Sequence, residues 1–165
     1  MKNNAMFTAV NQKWSTPQAF FDKMNSLWRF TVDVCADEVN TCCKRYYSEE
    51  DNGLAQSWAN EVCWCNPPYG RGSYAWLEKA YDEAINNNAL VVALIPARVG
   101  TSWYNKLVRG KALEIPVIGR LTFGTDEYWE SFWEEHPEKK GSRSPAPFDS
   151  ILAVYHKDIL TTNNK

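Results

Sequence analysis

Four consecutive residues, Asn66-Pro67-Pro68-Tyr69, combine groups that suit one kind of chemistry. The Asn66 side chain offers a carbonyl acceptor and an amide donor. Each proline fixes its own φ and restricts its predecessor, so the pair makes a stiff, extended corner. A carbonyl held in such a corner has no helical partner and stays available as a second acceptor. Two acceptors converging on one point suit an exocyclic amine, which has two hydrogens to donate. Tyr69 adds a flat ring that can stack on a planar heterocycle. An amine on a flat ring, held this way, describes a nucleobase. A plain Asn-Pro-Pro turn reads equally well from these residues alone, so the surrounding elements must decide.

The run Val62-Cys63-Trp64-Cys65 before the corner is long enough for one buried strand and too short for a helix. The corner therefore lies at the carboxyl end of a strand, where open α/β sheets bind their ligands. Ala89 to Ile95 is almost unbroken apolar sequence, as in the centre of a parallel sheet, and Pro96-Ala97-Arg98 ends it at the same edge. Phe30 to Ala36, Ala112 to Ile118 and Ile151 to Tyr155 read as further strands, with Lys44 to Tyr47 as a short one.

Helices fall between them. Thr16 is a good N-cap and Pro17 a good first residue for a helix in which Phe20, Phe21, Met24, Leu27 and Trp28 recur at helical spacing. Ser73 opens a second, whose stripe of Trp76, Leu77, Ala80, Tyr81, Ala84 and Ile85 ends at Asn86. Thr101 or Ser102 caps a third, closed by Gly110. This alternation predicts one α/β domain over residues 1–165, a mostly parallel twisted sheet with helices on both faces. Residues 1–13 read as a frayed polar segment. Residues 119–148 read as a long loop or insertion in which aromatic residues stand beside basic ones, a candidate DNA contact.

A length of 165 residues suits a single core, and 44% hydrophobic with 23% charged residues is ordinary globular composition. The net charge of −2 carries no overall basic signature, so nucleic-acid binding would need a local patch. There is no signal pattern and no apolar run of about 18 residues, which points to a soluble protein of the cytoplasm with no membrane partner. The five cysteines form no Cys-x-x-Cys pair, so they read as small buried residues in a reducing compartment, and no metal is expected. No Gly-x-Gly-x-x-Gly turn follows the first strand, which excludes a dinucleotide fingerprint. Cys35 and Ala36 are still small enough for a ligand to approach the backbone. The helix start at Thr16-Pro17 favours an anion such as a carboxylate. Asp51, a short step before Gly53, is placed to bond a ribose or a base, whereas Glu49 and Glu50 read as surface charge.

Taken together, the ordered set Trp14-Ser15-Thr16-Pro17, Asp33 to Asp37 with Asn40, Asp51 with Leu54 and Trp58, and Asn66-Pro67-Pro68-Tyr69-Gly70 resembles the phage-type, Dam-like DNA N6-adenine methyltransferases. Ile95 to Arg98, Gly119 to Phe123 and Ala146 to Ser150 continue the likeness, which covers about Trp14 to Tyr155. The resemblance implies a Rossmann-like methyltransferase fold, S-adenosylmethionine as the cofactor and double-stranded DNA as the partner. It implies that Asn66, Pro67, Pro68 and Tyr69 are catalytic, acting on a flipped-out adenine. Trp14, Thr16, Pro17, Asp33, Cys35, Ala36, Asp37, Asn40 and Asp51 would then border the cofactor, although Cys35-Ala36-Asp37 stands where methyltransferases generally carry a glycine-rich turn. Arg71, Arg98, Arg120, Lys139, Lys140 and Arg143 are candidate DNA contacts. The alternatives are another planar amine (cytosine N4, RNA adenine or a protein glutamine) and a non-catalytic DNA-binding relative.

Overall fold

The computed structural model describes residues 13–162, so all but the last of the segment expected to be frayed lies outside the described residues. Five strands form one sheet: β1 (Val32–Asp33), β2 (Val62–Cys65), β3 (Leu90–Pro96), β4 (Leu113–Pro116) and β5 (Ser150–Tyr155), in the spatial order β1-β2-β3-β5-β4. The helices are α1 (Gln18–Trp28), α2 (Ser73–Asn86), α3 (Ser102–Leu107), α4 (Asp126–Glu135) and α5 (Lys157–Thr162), with a 3-10 turn at Pro137–Lys139.

The sheet is mixed: four of its five strands share one direction, in keeping with a mostly parallel sheet, and β5 runs against them. β1, β2 and β3 run parallel, but β5 is antiparallel to both β3 and β4. The cause is the long connection 117–149. It leaves the sheet beside the point where it returns, Val117 N–H donating to the Ser150 carbonyl at 3.0 Å, so the returning strand must run the other way. The same connection brings residues 117–125 and 146–149 to the edge where Asn66 and Arg98 lie.

The two sheet faces carry separate cores. Cys63, Cys65, Val91, Ala93 and Ile95 pack with Leu77, Ala80 and Ala84 of α2 and Tyr104 and Leu107 of α3. Trp64, Val92, Leu94, Leu152 and Val154 pack on the opposite face with Phe21 and Met24 of α1 and with Phe123 and Ala146 of the long connection. Alternation along each strand sends successive side chains to opposite faces, and small alanines let α2 approach the sheet closely. The apolar stripes are narrower than the spacing suggests: Leu27 is 68% exposed and Ile85 39%.

Four elements depart locally from the spacing. The first strand covers only Val32–Asp33, because the Asp33 carboxylate accepts from Cys35 N–H at 3.3 Å and Cys42 N–H at 3.1 Å and so turns the chain out of the ladder. Lys44 to Tyr47 adds only a single parallel bridge, Asp33 to Tyr46. α1 begins at Gln18 without a side-chain cap, since Thr16 is engaged elsewhere. Finally, residues 119–148 are not all loop. Thr125 accepts from Tyr128 N–H at 3.1 Å and caps α4, whose first turn holds Asp126 and Glu127.

Candidate active site

The corner after β2 is held from a distance of 50 residues in sequence. Asn66 Nδ2 donates to the Trp14 carbonyl at 2.8 Å and to Thr16 Oγ1 at 3.2 Å. A carbonyl can only accept, so the amide nitrogen must face Trp14 and Oδ1 must face away. Asn66 Oδ1 is buried and has no hydrogen-bond partner among the described residues. A buried acceptor left unmatched costs about 1–3 kcal/mol, so a donor arriving there gains that much in driving force. The Pro67 carbonyl likewise accepts no hydrogen bond among the described residues.

Trp14 and Tyr69 stand between two cavities and line both. The Trp14 ring lies 5.5 Å from Tyr69 and 5.3 Å from Phe148, and Tyr69 meets Phe148 edge-on at 5.6 Å. Burial pushes the Tyr69 phenol well above its ordinary value, so it stays protonated and serves as a ring, not as a base.

The smaller cavity, about 420 Å³, lies over the ends of β1 and β2 and includes Asn66, Pro67 and Pro68. Of the residues singled out for a cofactor, Trp14, Thr16, Asp33, Cys35, Ala36, Asp37 and Asn40 line it. Pro17 and Asp51 do not. Pro17 supplies the carbonyl that receives Phe20 and Phe21 N–H at 3.0 Å. The exposed Asp51 carboxylate accepts from Ser48 N–H at 2.8 Å and Ser48 Oγ–H at 2.7 Å, which holds it below the usual carboxylate range. It therefore reaches the cavity only by shaping the Ser48–Gly53 turn. Asp37 and Asn40 grip one another: Asp37 Oδ2 accepts from Asn40 Nδ2 at 3.0 Å and Asn40 Oδ1 from Asp37 N–H at 2.8 Å. They set the loop as much as they face the cavity.

Asp33 is enclosed beneath this cavity. Burial raises its pKa to about 7 against the Cys42 and Cys35 N–H groups, which lower it, and nearby Asp37 raises it further. Burial also pushes up all five cysteine thiols, none of which is in a disulfide. No cluster of metal-ligating side chains occurs among the described residues.

Several lining residues were not singled out in the sequence: Tyr47, Ser48, Asn52, Gly53 and Trp76, together with Glu49, which reads there as plain surface charge. Gly53 packs so tightly that an added Cβ would lie 2.2 Å from the Val34 carbonyl and 3.0 Å from Trp76. Its pairing with Asp51 in a short turn is the signal that pointed nearest to it.

The larger cavity, about 680 Å³, opens beside the ends of β2 and β3 and is lined by Arg71, Tyr74, Arg98, Trp103 and Phe148 as well as Trp14 and Tyr69. Arg71 and Arg98, both candidate DNA contacts, thus come together. Neither guanidinium has an ion pair or hydrogen bond among the described residues, whereas Arg120 pairs with Asp149 at 3.3 Å and Arg143 with Asp126 at 2.7 Å. Arg143 also lies over Trp129 and Trp133, and Lys139 over Phe132, so these cations are tied to α4. Lys140 is exposed and lines neither cavity.

The two cavities share a wall made by Trp14 and Tyr69, and the clamped Asn66 amide lies beside it. Known proteins show what the chain is similar to. The profile of the family described as DNA N-6-adenine-methyltransferase (Dam) matches residues 4–158. The chain is 30% identical over 162 residues to the DNA N-6-adenine-methyltransferase of Haemophilus phage HP1, covering 91% of this chain and 92% of that one. It is 34% identical over 120 residues to the enzyme of the same name from Escherichia phage T1, spanning 72% of this chain and only 50% of that relative's length. A putative methyltransferase of Escherichia coli (strain K12) shares 36% identity over 67 residues, covering 36% of this chain and 74% of its own. The chain belongs to the Dam family of DNA N-6-adenine-methyltransferases. A methyltransferase requires a methyl donor, and this family's substrate is DNA. Among the described residues no helix is long and apolar enough to cross a membrane.

Proposed function

We propose that this chain methylates the N6 amine of an adenine flipped out of double-stranded DNA, with S-adenosylmethionine as donor, on a Rossmann-like methyltransferase fold working in the cytoplasm. The observation that carries the reading is the clamped Asn66 amide, whose buried Oδ1 has no partner beside the wall shared by both cavities.

The residues of the smaller cavity fit S-adenosylmethionine. The hydroxyls of Thr16 and Ser48, the carboxylates of Asp37 and Glu49 and the amide of Asn52 offer partners for an ammonium, a carboxylate and ribose hydroxyls. Trp76, Ala36 and Gly53 offer flat and close-fitting apolar surface for a heterocycle. When bound, S-adenosylmethionine supplies a sulfonium methyl group, the electrophile that the reaction needs.

The protein's own part is orientation. An adenine amine in a duplex is paired and stacked, so the base must leave the helix to reach the site. Tyr69 and Phe148 offer ring surface to the flipped base. Asn66 Oδ1 and the Pro67 carbonyl accept the two amine hydrogens and draw the nitrogen lone pair out of conjugation with the ring. Fixing the nucleophile in this way is a proximity effect, worth several kcal/mol at best. Arg71 and Arg98 supply positive charge for the phosphates beside the flipped nucleotide.

Labelled methyl transfer from S-adenosylmethionine to unmethylated DNA, followed by nucleoside analysis, tests the reading. N6-methyladenine is expected, and Asn66→Ala should abolish it while cofactor binding by calorimetry persists. Label in cytosine or in RNA, or full activity of Asn66→Ala, would overturn it.

A further inference from the structure

The cavity of about 680 Å³ that Tyr69 and Phe148 line carries a second pair of rings, Tyr74 and Trp103. There Tyr74, from the first turn of α2, and Trp103, from the first turn of α3, stack with ring centres 5.7 Å apart and planes 26° from parallel. One side of each ring packs against the core. Both are half-buried, unlike neighbouring Tyr104, which is fully buried and donates its hydroxyl to Glu114 at 2.6 Å. The Tyr74 hydroxyl and the Trp103 indole N–H have no partner among the described residues.

The two unpaired arginines precede these rings on loops that are tied down. Ser73 Oγ–H donates to the Gly70 carbonyl at 2.7 Å beside Arg71. Thr101 Oγ–H donates to the Arg98 carbonyl at 2.7 Å, and Asn105 Nδ2 donates to the Val99 and Thr101 carbonyls at 3.1 and 2.8 Å. The backbones are fixed while the guanidiniums are free to meet an anion. An aromatic stack beside paired positive charge is the arrangement that binds a nucleotide of single-stranded character.

We propose that the Tyr74–Trp103 stack is a second nucleobase platform, which holds the nucleotide adjoining the target adenine in the same strand, with its phosphate at Arg71 and Arg98. The inference rests on the proposed function. It makes Trp103 a determinant of sequence context around the methylated adenine, and it implies that the enzyme unstacks two nucleotides instead of one.

The test uses the full chain and short duplexes carrying one adenine that the wild type has been shown to methylate. A tetrahydrofuran abasic residue replaces the nucleotide on one flank of that adenine or the other. The readout is the ratio of kcat/KM on intact and abasic duplexes, compared between wild type and Trp103→Ala, so that easier flipping next to an abasic residue cancels. At one flank the wild-type ratio should exceed the Trp103→Ala ratio about tenfold, the effect of one base–aromatic stack. Trp103→Phe, which keeps a ring, should restore most of the difference. Equal ratios for the two enzymes at both flanks would overturn the platform while leaving the reaction intact. Should Trp103→Ala fail to fold, judged by S-adenosylmethionine calorimetry, Trp103→Phe and Trp103→Leu supply the same comparison. Absence of methylation on any DNA by the wild type is a different result, which would overturn the proposed function and the platform with it.

Discussion

Thr16 Oγ1 accepts a hydrogen bond from Asn66 Nδ2 at 3.2 Å and so reinforces the amide orientation that the Trp14 carbonyl dictates from 2.8 Å. Thr16→Val removes one acceptor and lets the amide swing, at a cost of about 1 kcal/mol in orientation. A fall in kcat of about fivefold is expected, larger than the loss of cofactor affinity by calorimetry. Thr16→Ser keeps the oxygen and should restore kcat; equal defects in the two variants would mean that only packing matters at this position.

The paired and unpaired arginines should separate in salt titrations. Log Kd for DNA rises with log salt by about 0.9 per phosphate contact. Arg71→Ala and Arg98→Ala should each lower the slope by about one. Arg120→Ala and Arg143→Ala, whose guanidiniums are held by Asp149 and Asp126, should leave it nearly unchanged.

Asp33 gives the fold a pH dependence. Its ordinary value near 3.8 is raised to about 7, chiefly by burial, so the folded chain holds this proton more tightly than the unfolded one. Its contribution to stability is therefore complete below the unfolded value and is lost as pH rises through the folded one. Urea midpoints should decline between about pH 4 and pH 7 in the wild type, and less steeply in Asp33→Asn, which cannot ionise. Parallel slopes in the two proteins would contradict the assignment.

Glu83 joins α2 to the turn before β2. Its carboxylate accepts from Lys79 Nζ at 2.7 Å, Asn87 Nδ2 at 2.9 Å and Trp58 N–H at 3.2 Å. Burial would raise it, but Lys79 and Asn87 outweigh burial and hold it below the usual range. Glu83→Ala leaves the Trp58 N–H unmatched beside a fully buried ring, so a loss of about 2–4 kcal/mol is expected in denaturant unfolding. Cofactor affinity should persist wherever the variant is folded.

Much of this architecture is legible in the sequence, and the exceptions are instructive. The β2 corner and the long apolar β3 stand out because prolines and unbroken apolar runs act locally. The direction of β5 is not legible, since Ile151 to Tyr155 is as apolar read backwards as forwards, and only the path of residues 117–149 decides it. α4 was legible in principle: Tyr128, Trp129, Phe132 and Trp133 recur at helical spacing behind Thr125, but Glu and Lys around them mask the stripe. Thr16 reads as a helix cap because Ser-Thr-Pro is a strong local signal, and its bond to Asn66 spans 50 residues that no local pattern encodes. Tyr74 and Trp103 meet for the same reason, from two helices joined through β3.

The strand made last among the five sits next to the middle of the sheet, between β3 and β4. Until Ser150 to Tyr155 has emerged from the ribosome, the apolar edge of β3 has no neighbour on that side and β4 has nothing to pair with at all. A nascent or truncated chain ending before residue 150 would expose a sticky strand edge of the kind that recruits other chains. Synthesis thus gives this enzyme an all-or-none birth: the corner at Asn66 is made early, but the sheet that holds it rigid closes only once β5 has followed.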